Sequence, residues 1–258
     1  MNYSDRIVCF LDVLGFREHI RGTINSDGSD NVDRISSIVE AFNIVGEILD
    51  IDKQPIFSPK RITQFSDSIV ISFPADKEEE LFHTLMEILW IQLNLVNHGM
   101  LCRGAISRGK LMHGEKNLFG PAMVDAYTLE TKAANYPRVI LDQAIIDAGT
   151  AAHSRYHGPE DEYKSIMGLL SQDSDGLFYI DYITNVQGEF DSAEQHPRYL
   201  AKLANFVIRG MQNQDPSIRV KYSWLRQKLK PYLDQIKKNV QARSHELKDD
   251  YLAIPDPL

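Results

Sequence analysis

Two aspartates stand where a carboxylate needs a reason. Asp12 ends the apolar run Ile7-Val8-Cys9-Phe10-Leu11, long enough to fill a buried strand, and Val13, Leu14, Gly15 and Phe16 follow it. Asp67 sits at the bend of RITQFSDSIVISF, between two β-rich runs. A carboxylate at the tip of a central strand costs free energy unless something pairs with it. If the first strand lies beside that hairpin, the two acids approach and raise each other's pKa unless cations neutralise them. A pair of Mg²⁺ or Mn²⁺ ions would do so, since both take oxygen ligands together with substrate phosphates. The plainer alternative makes Asp67 a turn residue and Asp12 a cap for the helix behind it.

Behind Asp12, VLGFREH reads as a tight strand-to-helix turn. Its backbone N–H groups and the positive end of the next helix form a cradle for a polyphosphate. Two divalent ions beside such a cradle suit in-line displacement at phosphorus, with no side-chain base strictly required.

The elements that must position these groups follow from periodicity. A polar loop, GTINSDGSDNVD, precedes a helix carrying Ile35, Ile38, Val39, Phe42, Val45 and Leu49, which Pro55 and Pro59 end. After the hairpin, Leu81, Phe82, Leu85, Leu89 and Leu93 mark a second amphipathic helix over 77–97. MLCRGAIS and GKLMHG read as two further strands, Gly120-Pro121 opens a third helix to about Asn135, YPRVILD is a strand and QAIIDAG a short helix. The order β-α-β-β-α-β-β-α-β-α predicts an α+β fold, a ferredoxin-like mixed sheet with helices on one face. A parallel dinucleotide-binding sheet would alternate strand and helix singly and carry a glycine fingerprint that LDVLGF lacks. Residues 1–150 read as the core. Residues 151–258 add a strand pair turned at Asp173–Gly176 and two long helices near 194–213 and 216–243, completing or extending it. The basic residues of the last helix, Arg226, Lys228, Lys230, Lys237, Lys238 and Arg243, read as a solvated face.

Composition narrows the function classes. At 43% hydrophobic and 25% charged, the 258-residue chain is an ordinary globular protein. Its net charge of -8 argues against a nucleic-acid binder, though not against an anion that arrives with metal ions. The N-terminus lacks a signal-peptide pattern and no stretch reaches the roughly 20 apolar residues of a membrane span, so a cytoplasmic protein is expected. Cys9 and Cys102 read as small buried hydrophobes. His153 and His157 are four apart but have no third metal ligand nearby, the Asp173–Asp175 stretch is a turn rather than a calcium loop, and Trp90 and Trp224 read as packing residues.

FLDVLGF, QFSDSIVIS, CRGAISRGKLMHG and FGPAMVDAYTLETKA together resemble the catalytic domain of class III nucleotidyl cyclases over roughly residues 5–150. That resemblance implies conversion of a nucleoside triphosphate to a 3′,5′-cyclic nucleotide and pyrophosphate under two metal ions per site, in a head-to-tail homodimer with shared active sites. It implies Asp12 and Asp67 as metal ligands with the Val13 carbonyl, and Leu14, Gly15 and Phe16 around the phosphates. Arg103 falls where the family often has an arginine; it either meets phosphate or makes an ordinary surface pair. The base readers of purine cyclases fall on Thr63 and Asn117, and the asparagine and arginine that steady the transition state fall on Val124 and Thr128. Tyr127, Lys132 and Arg108 are the polar residues left to substitute for them.

GPAMVDAYTLE, YPRVILD, QDSDGLFYIDY and KYSWL resemble, more narrowly, the bacterial pyrimidine cyclases of the Pycsar antiphage system. That resemblance spans most of the chain. It implies UTP or CTP as substrate, cyclic UMP or cyclic CMP as product, and a separate effector that the product activates. The altered base readers fit a smaller base. The contrasting expectation is a cyclase fold that senses a nucleotide without turnover.

Overall fold

The computed structural model describes residues 2–51, 59–77, 80–151, 159–242 and 246–257. Strand β1 (Ser4–Leu14) is buried from Arg6 through Leu11, as a strand flanked on both sides and covered on both faces must be. The hairpin strands are β2 (Arg61–Phe65) and β3 (Ser68–Pro74), and Ser66 at their bend takes a left-handed φ of 54°. Strand β4 (Leu101–His113) runs antiparallel to β1 from Leu101↔Leu14 to Leu111↔Ser4. Short strands β5 (Leu118–Phe119), β6 (Val139–Leu141), β7 (Leu170–Gln172) and β8 (Phe178–Ile180) complete the sheet. Its order is β2-β3-β1-β4-β6-β8-β7, with β5 paired to the end of β4; β6 is parallel to β4 and the other pairs are antiparallel, so the sheet is mixed.

One expectation changes here. MLCRGAIS and GKLMHG form the single strand β4, because pairing with β1 continues through Arg108 and Gly109 without a turn. The partner strand supplies hydrogen bonds where local composition suggested a break.

The helices of the first part are α1 (Phe16–Arg21), α2 (Val32–Ile48), α3 (Glu80–Asn97), α4 (Pro121–Lys132), α5 (Gln143–Ala151) and α6 (Pro159–Gly168). Side chains alternate across a strand. Cys9 lies on the face of β1 where Glu87 of α3 acts on it electrostatically, and α2 packs on α3. The other face carries Val8 and Phe10, which join Val70, Leu111, Ala122 and Ala126 in one apolar cluster under α4. The layer expected on one face is therefore joined by a partial layer, α4, on the second. α3 buries Leu81, Leu85, Leu89 and Leu93 as predicted, whereas Trp90 lies on its exposed side. In α2 the burial falls on Ala41 and Val45, and Val39 is exposed.

The chain divides into two compact units, Met1–Ile180 and Asp181–Leu258, so the β7–β8 pair belongs to the first. Its turn is held by the Asp173 carbonyl accepting from Gly176 N–H, and buried Arg138 pairs with Asp173 and Asp175. The second unit contains α7 (Gln195–Met211), α8 (Pro216–Ala242) and α9 (Lys248–Leu252). Leu200, Leu203 and Val207 of α7 are buried, as are Trp224, Leu225 and Leu229 of α8. Of the basic residues on α8, Lys230 pairs with Asp234 and Asp256, and Lys228 lies over the Trp224 ring. Arg243, His153 and His157 lie outside the described residues. Both cysteines are buried and free, and no described helix is long and apolar enough to cross a membrane.

The close approach of β1 and β4 requires Gly104, where an added Cβ would lie 2.4 Å from the Phe10 carbonyl oxygen and 2.8 Å from Leu11 Cδ2. Gly104→Ala is expected to cost about 1–3 kcal/mol, read as a lower urea midpoint at unchanged m-value.

Candidate functional site

Strand register assembles the site. Arg6, Val8, Phe10 and Asp12 share one face of β1, and Asp12 stands opposite Ser68 of β3 and Arg103 of β4. Val13 N–H donates to the Asp67 carbonyl at 3.1 Å, tying the hairpin bend to the end of β1. Asp67 is thereby close enough to raise the pKa of Asp12. The larger causes are burial and the Glu130 carboxylate; Arg103 acts in the opposite sense, and the balance leaves Asp12 pushed up to about 6. Arg103 Nε lies 3.5 Å from Asp12 Oδ2 and 2.5 Å from Glu130 Oε1. The closer contact is an ion pair whose angles do not meet hydrogen-bond geometry.

Two acids thus face one guanidinium, and Asp67 adds its charge at Asp12. That surplus of negative charge at half-buried oxygens is the setting a hard cation relieves. Among the described residues no group of three or more His, Cys, Asp or Glu side chains is arranged to hold a metal ion. Asp12, Asp67 and the Val13 carbonyl are oxygen donors of the type that Mg²⁺ and Mn²⁺ take, two carboxylates with the remaining ligands from water and substrate phosphates.

Glu130 is the residue that sequence reasoning missed. Ala122, Ala126 and Glu130 are the buried residues of α4, four apart along one stripe. A glutamate continuing an alanine stripe was the available signal. Arg103 is only partly exposed and is held between Asp12 and Glu130.

The other expected residues are placed unevenly. Tyr127 is exposed and packs edge-on against Phe10, with ring centroids 5.7 Å apart, one residue pair from the Asp12 row. Lys132 is exposed in the last turn of α4. Arg108 stands opposite Ile7 rather than in the Asp12 row, and pairs with Asp5 at 3.2 Å. Val124 is 62% exposed. Gly15 takes φ 72° and starts α1, which is only six residues long. The first turn leaves the Phe16 and Arg17 N–H groups without intrahelical partners, while Leu14 is the last residue of β1. Thr63 lines a cleft of about 150 Å³ together with Lys60, Arg61, His113 and Glu115. Asn117 is exposed in the β4–β5 turn, where its carbonyl accepts from Gly114 N–H.

His113 is a second residue that sequence reasoning missed. It is buried, with Nδ1 2.7 Å from Ser72 Oγ and Nε2 2.9 Å from Thr63 Oγ1. Burial, helped by the charges of Arg6 and Arg61, holds it at about 4.

No family model matches the chain, and no curated protein matches it. Among solved structures it is similar to a bacterial light-regulated adenylyl cyclase, with TM-score 0.43 and 14% identity over 70% of this chain and 92% of that one. A longer chain of a bacterial light-regulated adenylyl cyclase is matched over 46% of its length. The guanylyl cyclase Cya2 aligns with TM-score 0.41 and 15% identity, covering 70% of this chain and 93% of that one. The monomeric guanylyl cyclase domain of the RhoGC fusion protein from the aquatic fungus Blastocladiella emersonii aligns with TM-score 0.41 and 14% identity, covering 69% and 95%. TM-scores of this size carry no argument about activity.

Two outcomes follow from the site's electrostatics. Arg103→Met strands the Glu130 carboxylate and is expected to destabilise the protein by about 2–4 kcal/mol, with Arg103→Met/Glu130→Met recovering much of the loss in urea titrations. For His113, the folded pKa lies below the unfolded one, so the unfolded state binds more protons between pH 6.5 and 4 and stability is lost as pH falls. Against His113→Gln, which does not titrate, the wild-type protein should lose about 3 kcal/mol of relative stability across that window.

Proposed function

We propose that the chain is a cytoplasmic nucleotidyl cyclase that converts UTP, or CTP, to the 3′,5′-cyclic monophosphate and pyrophosphate. The observation that carries this reading is the junction of Asp12 and Asp67 at one end of adjacent strands, with an acid surplus around the single guanidinium of Arg103. Its support from the chain's motifs is the resemblance to class III cyclases, and more narrowly to the Pycsar pyrimidine cyclases. Two divalent ions, Mn²⁺ or Mg²⁺, held by Asp12, Asp67 and the Val13 carbonyl would ease deprotonation of the 3′-hydroxyl and neutralise charge on the leaving pyrophosphate.

The chain's own residues then have separate tasks. Leu14, Gly15 and Phe16 hold the polyphosphate through backbone N–H groups. Arg103 partly offsets the acids while Glu130 keeps its side chain beside Asp12. In the reaction the 3′-oxygen bonds to the α-phosphorus, the bond from that phosphorus to the bridging oxygen breaks, and the hydroxyl proton passes to water. Tyr127 and Lys132 stand in for the family's transition-state residues, and Thr63 and Asn117 read the base. The homodimer is supported by Phe65, Phe119, Val124 and Tyr127, exposed apolar side chains on the elements around the Asp12 face. In this reading the cyclic nucleotide is a second messenger in antiphage defence and acts on a separate effector.

A second reading, a nucleotide sensor without turnover, is favoured by Val124 and Thr128, which supply neither the amide nor the guanidinium expected there. Incubation with each of the four ribonucleoside triphosphates and Mn²⁺, resolved by mass, separates the two. A cyclic pyrimidine monophosphate is expected, and Asp12→Ala or Asp67→Ala should lower its rate by at least about 100-fold. Binding without any cyclic product would support the sensor.

A further inference from the structure

Helix α4 and strand β1 carry matched stripes. Ala122, Ala126 and Glu130 are the buried residues of α4, and residues four apart rise about 6 Å along a helix. Val8, Phe10 and Asp12 share one face of β1, and residues two apart rise about 6.6 Å along a strand. The alanines pack with Val8 and Phe10, and the Ser107 hydroxyl, opposite Val8, donates to the Ala122 carbonyl at 2.7 Å. With no bulk on the alanines to hold the helix away, the next residue of its stripe, Glu130, comes down onto the Asp12 row.

An aspartate and an arginine directly opposite on antiparallel strands ordinarily close into an ion pair. Asp12 and Arg103 are so placed, yet Arg103 Nε lies 3.5 Å from Asp12 Oδ2, beyond hydrogen-bond length, and 2.5 Å from Glu130 Oε1. Nε carries a single hydrogen and can serve only one of the two acids. Glu130 is the better anchored, since its side chain is buried and its second oxygen accepts from Thr131 Oγ1 at 3.0 Å.

We propose that Glu130 is a positioning residue that holds Arg103 beside Asp12 without letting the pair close, which leaves the Asp12 carboxylate open to a divalent cation. The inference rests on the cyclase reading, which puts the cation there, and deepens it by naming the residue that sets how readily the site loads. Without Glu130, Arg103 turns to Asp12, and a cation must displace a charge-assisted hydrogen bond to bind.

Two arms test this on the full chain. The first needs no metal and compares crystal structures of the wild type and Glu130→Met. Arg103 is expected within hydrogen-bond distance of Asp12 in the variant; a guanidinium that keeps its wild-type separation, or turns to solvent, overturns the inference. The second is titration with Mn²⁺ alone, read from the EPR signal of the free ion. Binding should vanish in Asp12→Asn, and ions that bind regardless overturn the inference. Glu130→Met should weaken binding about tenfold, the scale of one hydrogen bond to a charged group. Glu130→Asp keeps the charge but falls short of Arg103, so it should also bind more weakly; wild-type affinity there makes charge alone the cause and overturns positioning. Arg103→Met/Glu130→Met should restore wild-type binding, since no guanidinium is left to compete. Continued weakness in that double variant makes Glu130 itself a ligand and overturns the inference. A wild type that binds no Mn²⁺ also overturns it, while the product assay with the four triphosphates still decides the cyclase reading.

Discussion

The carboxylate of Asp12 is the constraint around which the first unit is arranged. Strand β1 is central and closed in on both sides, so its last polar group gives up part of its hydration. A single guanidinium, shared with Glu130, only partly compensates it, and Asp67 adds to the imbalance. A protein selected for stability alone would favour a neutral residue at that position. In the proposed function, a cation and a phosphate would supply the compensation that the retained charge lacks.

Sheet register brings Asp12, Arg103 and the residues beside Thr63 to one face. Period-two alternation sends Asp12, Phe10 and Val8 the same way, and the pairings Asp12↔Ser68 and Asp12↔Arg103 fix what stands beside the acid. The same face of β3 carries Val70 and Ser72, and Thr63 pairs with Val70 on β2. One mixed sheet therefore carries both an acid-rich corner and a cleft lined by Thr63 and His113. α4 covers only part of this face, its alanines seated on Val8 and Phe10 and its exposed Val124 and Tyr127 turned outward. A face so incompletely covered suits a second surface, which is the physical sense of the proposed shared sites.

Much of the arrangement was legible in the chain. The apolar run ending in Asp12, the hairpin bent at Asp67 and the helix opened by Gly120-Pro121 each have strong local signals, and each forms, although β1 continues past Asp12 to Leu14 and α4 ends at Lys132 rather than near Asn135. The merging of two expected strands into β4 was not legible, because Gly109 reads locally as a break and only the length of β1 keeps it paired. Glu130 and His113 escaped for a related reason. Each is a polar residue in a segment whose pattern predicts the element, and neither pattern tells which polar atoms the element will bury.

By itself the sequence determined which residues could carry charge at strand ends and turns, and the alternation of elements that makes a mixed sheet. Those properties are local, set by periodicity, turn chemistry and the cost of a charge in an apolar run. Tertiary structure alone decided which acid meets which base, and which side chains a line of hydrogen bonds joins. Arg103 lies between Asp12 and Glu130, and His113 lies between Ser72 and Thr63, because strands distant in sequence were brought into one register. Electrostatic and hydrogen-bond partnerships act over a few ångströms of space, and separation along the chain does not encode that distance.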